Sequence, residues 1–465
     1  MTRFLRQPIG GSICRTIVDH ENFQIVDRLS SRAGDRKGEV IQTIVCRYDD
    51  GTSRLGLQEE LLGTALADWI VSAGLLPEEA AMKTIGYVLA DFPVFSETFV
   101  GDEMRAMSRR GHRVVPLVMH LSDGPAQVDD MKLAKSVTKV GATPLLQALA
   151  TLARPGRDAS AALAFVRRQR RLSRHSLLWN AMKMASVARA AGCEHLHAHF
   201  SGGSAAHAIV AARWIDASVS FVCHGHDVYA EAEDLDVKLA AADAVVAVCN
   251  DMASDLQSLC QSAKIVTIPC GTDPSLFLPV TGGDRSRRLL FIGRLVEQKG
   301  LDDLLTALAM QGSASVDLVG DGPLGGELRA KAASLGLGDR ARFLGARSRE
   351  WIVEHAPRYL ALVAPFKIAP DGSRDSGPMV VKEAMAMQLP VVATRFMGLK
   401  EMVSPETGFG AEPNDPASLA RAIDAAFNLK EEQRAAMGRS ARKRMVERFS
   451  LDASATALSD VFQAA

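Results

Sequence analysis

Residues 289–309 read LLFIGRLVEQKGLDDLLTALA, an apolar run that passes through a glycine-bearing turn into an amphipathic segment. The first four residues have the length and composition of a buried strand, and apolar residues then recur at helical spacing from Leu301 to Ala309. Strands that alternate with helices form parallel sheets covered on both faces. This stretch therefore predicts an α/β fold whose ligands bind where strands end and helices begin.

The same alternation continues on both sides of that stretch. Upstream, the sequence predicts strands at 85–90, 112–119, 195–199, 219–223, 244–248 and 264–269. Downstream, it predicts strands at 316–319, 341–344, 360–364 and 391–394. The segment Pro-Val-Thr-Gly-Gly-Asp, residues 279–284, interrupts the alternation and is typical of a linker. We therefore expect two doubly wound, Rossmann-like domains that face each other across a cleft.

Length and composition support this division. A chain of 465 residues with 47% hydrophobic residues is long enough for two α/β domains and an extra segment. We expect an accessory segment of unassigned role at 1–82, a first domain at 83–280 and a second at 281–449. Residues 450–465 are expected to form a helix that packs back onto the first domain.

Charge and cysteine content argue against several classes of protein. Equal numbers of basic and acidic residues, 54 each, give no global reason to bind nucleic acid. We find no apolar run of about 18 residues that could span a membrane and no apolar core of a secretion signal at the N-terminus. The seven cysteines are dispersed without a Cys-x-x-Cys pair, which favours reduced thiols in the cytoplasm.

Two cations follow the strand predicted at 289–292. Arg294 offers a planar donor fork and Lys299 a point charge for phosphate, while Gly293 lets backbone approach a ligand. The helix that begins after Gly300 adds the positive end of its dipole. A solvated surface pair is the alternative, but we favour an anion site because both cations follow the carboxyl end of a strand.

A second motif, DSGPMVVKEAMAM at 375–387, opens another helix. The free backbone N–H groups at its start, a nest that can hold phosphate or sugar hydroxyls, belong to Gly377, Met379 and Val380. Asp375 can accept hydrogen bonds from sugar hydroxyls, and Glu383 is placed to accept from a ribose diol. Either acid alone is explained as a helix cap, Asp375 above all. With the two cations, they indicate a site for a diphosphate that carries sugars.

In the first domain, His224 follows the strand at 219–223, and Gly225 allows the chain to turn there. A histidine at the edge of the cleft can hydrogen-bond a sugar hydroxyl or transfer a proton. His226 and Asp227 come next and suggest a metal site or a dyad. Their spacing is not that of a helical ligand pair and no third ligand is evident, so we expect no metal.

Histidines also alternate along the strand at 195–199. His195, His197 and His199 share one face, which is the pattern of a metal triad. We favour a simpler interpretation, in which His199 alone reaches the cleft while the other two pack or meet solvent.

Three loop positions have a structural as well as a functional explanation. Ser96 suits a helix N-cap with Glu97 in the first turn, and Gly320 belongs to the turn sequence Gly-Asp-Gly-Pro. In loops that face the cleft, Ser96 and Glu97 would contact phosphate or acceptor. We assign His199 and Asp227 to the same side, and Gly320 to a wall against the nucleoside.

One basic cluster consists of Arg167, Arg168, Arg170, Arg171 and Arg174. Apolar residues lie among and around these arginines in the sequence. The segment therefore has the composition of a helix seated on an anionic membrane surface. A solvated helix face explains the cluster equally well.

These motifs together resemble the large family of retaining, metal-independent glycosyltransferases with the GT-B fold that is called family four. The resemblance to its exopolysaccharide, or colanic-acid, branch is carried by residues 92–99, 111–114, 197–200 and 224–227. It covers about residues 84–450 and rests on several motifs in the same order.

The resemblance implies roles for individual residues. Arg294 and Lys299 would bind the donor diphosphate and stabilise its departure, and Glu383 would hold the ribose. Asp375 would bind the donor sugar, with His224 near the reacting carbon. The family usually has Glu where this chain has Asp375, but the spacing of eight to Glu383 is kept. A changed sugar preference is therefore expected rather than inactivity.

The implied reaction transfers a sugar, with retention and without a cofactor, from a UDP- or GDP-sugar to a saccharide. The favoured acceptor is linked to polyprenyl diphosphate, which would place the protein in the cytoplasm at the inner face of the cytoplasmic membrane. The competing hypotheses are a sugar phosphorylase or nucleotide-sugar epimerase on the same fold, and a non-catalytic nucleotide-sugar-binding protein.

Overall fold

The computed structural model describes residues 82–465, except 96, 125 and 281–285, together with four strands near the N-terminus. The chain divides into two compact units, residues 1–82 and 83–465. In the first unit, four strands form an antiparallel sheet in sequence order. They are β1 Arg3–Ile9, β2 Ser12–Asp19, β3 Phe23–Ser30 and β4 Val45–Arg47.

The second unit contains two parallel sheets, the first with seven strands in the order β11-β10-β9-β8-β5-β6-β7. The strands are β5 Thr84–Phe92, β6 Arg113–Leu121, β7 Thr138–Lys139, β8 His195–His199, β9 Ser218–Cys223, β10 Ala244–Ala247 and β11 Ile265–Thr267. In the register, Ile85 lies opposite Val114 on one side and His195 on the other. The strand order therefore reverses at β5, which opens a crevice outside the carboxyl ends of β5 and β8.

The second sheet has six strands in the order β14-β13-β12-β15-β16-β17. They are β12 Leu289–Ile292, β13 Val316–Val319, β14 Ala341–Gly345, β15 Ala361–Ala364, β16 Val391–Thr394 and β17 Gly408–Ala411. The order reverses between β12 and β15, whose residues Leu289 and Ala361 are paired. The two sequence motifs that follow these strands are thereby brought side by side.

Helices connect the strands. In the first domain they are Thr98–Arg109, Val128–Ala134, Leu145–Leu152, Ala159–Arg168, Arg174–Ala190, Gly203–Ile215, Gly225–Tyr229, Leu235–Leu239 and Asn250–Leu259. In the second they are Leu301–Ala309, Gly325–Ser334, Arg349–His355, Met379–Ala386, Leu399–Met402, Pro416–Phe427 and Glu431–Phe449. Among the described helices, we find none long and apolar enough to cross a membrane.

The final helix, Leu451–Ala464, packs against the first domain. Ser459 Oγ lies 2.8 Å from His112 Nε2, and the Phe462 ring lies 5.0 Å from the ring of His197. Phe462 is fully buried, as are most residues of the strands beneath it. Helix Leu451–Ala464 therefore completes the core of the first α/β domain.

The predicted fold class is confirmed, because both parallel sheets form as the alternation of strands and helices indicates. Strands β7 and β17 and helix Val128–Ala134 were not predicted. The two strands are only two and four residues long, and β17 contains two glycines. Segments this short carry too little periodicity to be recognised.

Candidate functional site

A cavity of about 300 Å³ lies between the two α/β domains, at the carboxyl ends of both sheets. On the first-domain side it is lined by Glu97, Phe99, Phe200 and His224, among others. On the second-domain side it is lined by Gln298 and by the segment 374–379. The cavity thus occupies the place where open α/β sheets bind their ligands.

Lys299 and Asp375 meet at the edge of this cavity. Lys299 Nζ lies 2.6 Å from Asp375 Oδ2 and 4.0 Å from the centroid of the Phe366 ring. The other carboxylate oxygen of Asp375 accepts a hydrogen bond from the backbone N–H of Gly377, at 3.3 Å. The Lys299 and Asp375 side chains are 13% and 23% exposed, so the pair is formed but still accessible. An anionic ligand here would share Lys299 with Asp375.

Glycines shape the second-domain loops. Gly300 has φ of +63°, and a Cβ there would overlap the carbonyl oxygen of Pro365. A Cβ on Gly320 would likewise overlap the backbone of Gly293, so Gly320 is needed for the packing of two loops against each other. Arg294, by contrast, is exposed, and no described acid pairs with it. Its guanidinium is therefore free to bind an anion.

The helix Met379–Ala386 begins at the cavity, where the N–H groups of its first turn have no helical partner. Lys382, one turn later, is fully buried, and its Nζ donates to the carbonyl oxygen of Cys270 at 2.6 Å. Burial lowers the pKa of Lys382, with Cys270 and nearby acids opposing the shift. Sequence reasoning missed this lysine, although it lies within the quoted motif. It ties the second domain to the loop after β11.

Glu383 lies outside the cavity and has Arg349, Lys382 and Asp102 as its charged neighbours. Burial raises the pKa of the partly buried Glu383 carboxyl to about 7, although Arg349 and Lys382 act in the opposite direction. No residue in the described part of the chain hydrogen-bonds to this carboxylate. It is therefore available to a ligand, and its protonation changes near neutral pH.

Asp227 fixes the position of His224. Its carboxylate accepts hydrogen bonds from the backbone N–H groups of His224, at 2.8 Å, and Ser201, at 2.5 Å. These contacts join the loop after β9 to the loop after β8. Because Asp227 is buried and its oxygens accept from backbone donors, its carboxylate positions His224, and the expected contact of Asp227 with the acceptor stays a prediction.

His224 itself lies among aromatic rings at the wall of the cavity. Its ring centroid is 4.5 Å from that of Phe200, 4.9 Å from that of Phe99 and 5.9 Å from that of His199. Burial, reinforced by the neighbouring His199, lowers the pKa of His224 to about 3, so the ring is neutral. Among the described atoms, its buried Nε2 has no hydrogen-bond partner. A ligand group in the cavity would satisfy it.

Behind His224 lies a buried cluster around Glu103. One carboxylate oxygen of Glu103 is 3.0 Å from Tyr87 Oη, 3.2 Å from His199 Nε2 and 3.6 Å from His197 Nε2. Burial alone would raise the pKa of Glu103, but His199, His197 and Tyr87 outweigh it and lower that pKa to about 2. Glu103 is therefore a mostly buried carboxylate that anchors His199, and the sequence did not indicate this role.

The structure differs from our expectation that one histidine of β8, His199, reaches the cleft. All three are buried; His195 and His197 hydrogen-bond to Ser220 Oγ at 2.7 Å, and His199 reaches Glu103 and the ring of His224 but does not line the cavity. Ligand atoms of Glu103, His197 and His199 lie within 4.8 Å of one another, close enough to hold a metal ion. Since the Glu103 oxygen already accepts from Tyr87 and His199, we interpret the cluster as a hydrogen-bonded support.

The loop after β5 presents Glu97 to the cavity, whereas Ser96 lies outside the described residues. Helix Thr98–Arg109 begins one residue later than the predicted cap would require, with Glu97 at the N-cap position and no side-chain cap. Burial raises the pKa of Glu97. The Glu97 carboxyl therefore faces the ligand space instead of the helix.

The arginine cluster at 167–174 does not form one amphipathic helix. It spans the end of helix Ala159–Arg168, a loop and the start of helix Arg174–Ala190. Its neighbours Phe165, Val166 and Leu177 are buried in the core. Part of the apolar stripe that would accompany the arginines on a membrane is thus withdrawn into the core, and its other members, Leu163, Leu172, Leu178 and Trp179, are only partly exposed.

The predicted site residues are distributed unevenly. The cavity wall contains Glu97, His224, Asp375, Gly377 and Met379, and Lys299 joins it through its ion pair. The predicted residues that do not line it are Gly293, Arg294, Gly320, Val380 and Glu383, together with His199 and Asp227. The roles of these residues stay predictions.

Comparison with known sequences gives a result that agrees with this geometry. Residues 96–276 match the model of Glycosyltransferase Family 4, and residues 282–444 match that of Glycosyl transferases group 1. Over 168 residues the chain is 29% identical to the amylovoran biosynthesis glycosyltransferase of Erwinia amylovora, a match that covers 35% of this chain and 41% of that protein. Over 230 residues it is 26% identical to a putative colanic acid biosynthesis glycosyltransferase of Escherichia coli K12, covering 48% and 57%. These matches span about half the length of either relative.

Solved structures show the same fold. A glycosyltransferase from Rickettsia africae superposes with a TM-score of 0.64 at 18% identity, over 82% of this chain and 98% of that one. The Anabaena protein HepE, solved in complex with UDP and glucose, superposes with a TM-score of 0.62 at 17% identity, over 83% and 100%. At these identities the likeness concerns the fold alone.

Proposed function

The chain belongs to the glycosyltransferases of group 1 and family four, and from this premise we propose that it transfers a sugar from a nucleoside-diphosphate sugar to a saccharide acceptor in polysaccharide biosynthesis. The observation that carries the proposal is the Lys299–Asp375 pair beside a helix N-terminus, opposite His224 Nε2, which has no hydrogen-bond partner in the described part of the chain. The cavity between them offers charge for a diphosphate on one wall and a neutral hydrogen-bonding ring on the other.

We assign the donor to the second-domain wall. Arg294 and Lys299 bind the diphosphate, and Glu383 accepts from the ribose diol. The backbone N–H groups at the start of helix Met379–Ala386 add donors for phosphate or sugar. The Anabaena relative was solved with UDP, with UDP and glucose, and with UDP-glucose, which supports a uridine nucleotide as the first donor to try, ahead of a GDP-sugar.

We assign the sugar to the space between Asp375 and His224. Asp375 accepts from sugar hydroxyls, and His224 Nε2 contacts the sugar near its anomeric carbon. The Asp375 side chain is one methylene group shorter than that of the Glu that the family usually has at this position. Its ion pair with Lys299 holds the Asp375 carboxylate beside the proposed diphosphate position. Glu97, on the first-domain side, faces the space left for the acceptor hydroxyl.

The proposed reaction keeps the anomeric configuration and uses no metal. The bond from the anomeric carbon to the diphosphate oxygen breaks while the acceptor oxygen bonds to that carbon from the same face, and the leaving diphosphate takes the acceptor proton. Lys299 and Arg294 stabilise the negative charge that develops on the diphosphate. Double displacement would need a free carboxylate beneath the anomeric carbon. Asp375 is already paired with Lys299, and we assign Glu97 to the acceptor hydroxyl and not to this position.

We further propose that the acceptor is a saccharide linked to polyprenyl diphosphate. The support is the likeness to amylovoran and colanic acid glycosyltransferases, over about half of their lengths. Such an acceptor would bring the protein to the inner face of the cytoplasmic membrane.

Thermal-shift measurements on the purified full-length protein test the donor assignment. The ligands to test are nucleoside diphosphates and nucleotide sugars, each with and without a chelator. We expect one nucleotide class to raise the melting temperature, and we expect the chelator to leave that rise unchanged. The Lys299→Ala variant should lose most of the shift. The control Lys443→Ala, which removes a paired surface lysine on helix Glu431–Phe449, should keep it. A shift with inorganic phosphate or a free sugar, but with no nucleotide, would instead indicate a phosphorylase.

A further inference from the structure

Helix Leu145–Leu152 presents apolar side chains to solvent in a way that no other part of the proposed function explains. The exposed fractions of its leucines are 58% for Leu145, 77% for Leu146, 44% for Leu149 and 38% for Leu152. We call these four side chains the leucine face. Exposed leucines are common singly, but four on two turns of one helix form a patch of the kind that marks an interaction surface.

The helix is held firmly, so the exposure is not the result of a loose end. Its opposite face carries Ala148 and Thr151, which are buried. The indole N–H of Trp214 donates to the carbonyl oxygen of Thr151 at 2.9 Å. The leucine face is therefore displayed by a helix whose other side belongs to the core.

Basic residues precede and follow the leucine helix in the sequence. From Lys132 to Arg157, both included, the chain has five basic residues and no acidic one. The five are Lys132, Lys135, Lys139, Arg154 and Arg157. Lys132 pairs with Asp129 and Arg157 lies near Asp216, but no described acid pairs with the other three.

The neighbouring helix Arg174–Ala190 adds two more cations. Lys183 Nζ donates to the carbonyl oxygen of Gly141 at 3.4 Å, just before the leucine helix. Arg189 donates to the carbonyl oxygen of Arg154 at 2.9 Å, just after it. Positive side chains therefore lie at both ends of the leucine face.

The geometry points to the leucine face and its flanking cations as a docking site for an anionic bilayer. Leucines would enter the boundary between headgroups and acyl chains, while lysines and arginines contact lipid phosphates. Either signal alone binds membranes weakly, and the combination gives stable but reversible attachment. The inference rests on the proposed function, because a lipid-linked acceptor supplies the reason for the attachment.

A protein partner fits this surface less well. Four partly exposed leucines offer at most a few hundred Å², well below the roughly 800 Å² per partner of a standard interface. The face also lacks the tryptophan and tyrosine side chains that dominate protein–protein binding energy. The arginines at 167–174 are a weaker membrane candidate, because their apolar neighbours Phe165, Val166 and Leu177 are buried.

Vesicle flotation of the full-length protein tests the inference. Vesicles of phosphatidylcholine with phosphatidylglycerol should capture the protein, and pure phosphatidylcholine vesicles should capture much less. The double variant Leu146→Asp with Leu149→Asp should bind anionic vesicles at least about ten-fold more weakly. Removing Lys139 or Arg154 by substitution with Ala should weaken binding by about five-fold each, with the effect fading at high salt.

A matched control separates the site from a general effect of charge. Leu259→Asp with Leu278→Asp replaces two leucines of similar exposure, 52% and 55%, and should leave vesicle binding unchanged. Equal binding of wild type and the Leu146/Leu149 variant, or no binding of wild type, would overturn the inference. So would a wild-type dimer in solution that the same variant dissociates, since a second copy would then cover the face. Nucleotide-induced melting shifts, measured on the same samples, report separately on the donor site.

Discussion

The two walls of the cleft treat charge in opposite ways. On the second-domain wall, Lys299 and Asp375 form a partly exposed ion pair and Arg294 stands in solvent. On the first-domain wall, Glu103 is enclosed by histidines and a tyrosine, and His224 is neutral because burial lowers its pKa to about 3. The second-domain wall keeps both members of an ion pair within reach of a ligand, and the first-domain wall keeps the charge of Glu103 behind a neutral ring.

This difference indicates which wall binds the diphosphate and which wall positions the sugar. A diphosphate needs accessible cations, and its departure needs them most in the transition state. A neutral sugar needs hydrogen bonds in fixed positions and no strong field. The buried support of His224 by Asp227, His199 and the aromatic rings supplies such a fixed position. Substitutions on the two walls should therefore change different kinetic parameters.

The largest effect is expected from Lys299→Ala. The substitution removes a cation from the diphosphate and leaves Asp375 as an unpaired negative charge beside it. We expect kcat/KM to fall by about 100-fold or more, the size of losing a transition-state donor. Nucleoside-diphosphate affinity, measured by calorimetry, should fall by at least about ten-fold, the size of a lost charge-assisted hydrogen bond. Unchanged affinity in a variant that melts like the wild type would remove Lys299 from the donor site.

A smaller and different effect is expected from Glu103→Gln on the opposite wall. The neutral amide no longer holds His199 as a carboxylate does, so the ring of His224 loses its fixed support. We expect kcat to fall by about 10- to 100-fold, as for a misplaced catalytic group, while nucleoside-diphosphate affinity stays within about two-fold. Glu103→Asp should recover part of the rate. If nucleotide binding and turnover weakened together, the separation between the walls would fail.

The smallest effect is expected from pH acting on Glu383. Its pKa of about 7 means that the carboxylate which accepts from the ribose is mostly protonated at pH 6 and mostly ionised at pH 8. Nucleotide affinity should therefore rise with pH by up to about ten-fold over that range. Glu383→Gln should remove the pH dependence. Titration calorimetry at several pH values measures both, and a slope that persists in the variant would assign the dependence to another group.

The pKa shifts of Glu103 and Glu383 predict opposite effects of pH on the stability of the fold. Glu103 has a folded pKa of about 2, below the ordinary 4.5, so its ionised form stabilises the fold above about pH 4.5, and this contribution is lost as pH falls toward 2. Glu383 has a raised folded pKa, so its ionisation destabilises the fold progressively from about pH 4.5 to 7. Melting curves should accordingly show Glu103→Gln less stable than wild type at neutral pH, with a gap that narrows in acid. Glu383→Gln should be the more stable protein at pH 8 and equal to wild type near pH 4. Equal behaviour of the two variants would contradict the contrast.

Much of the candidate site could be read from the chain because its parts are local. The loops after β12 and β15 and the start of helix Met379–Ala386 each follow from a short apolar run and a glycine or proline. Glu103 and Lys382 escaped notice for a shared reason. Glu103 meets His199 from 96 residues away, and Lys382 meets Cys270 from 112 residues away. A lone acid or lysine within a helix gives no sign of such a partner.

The sequence by itself determined the types and order of the elements and the positions of the motifs along the chain, because periodicity and turn chemistry act over a few residues. Only the tertiary structure decided which charges are buried and which are accessible. Lys299 and Asp375 lie 76 residues apart in sequence, and His224 belongs to the other domain. Burial and pairing depend on all the elements that meet at a point. The pKa of Glu383, the neutrality of His224 and the exposure of the leucine face therefore follow from the packing of the whole fold.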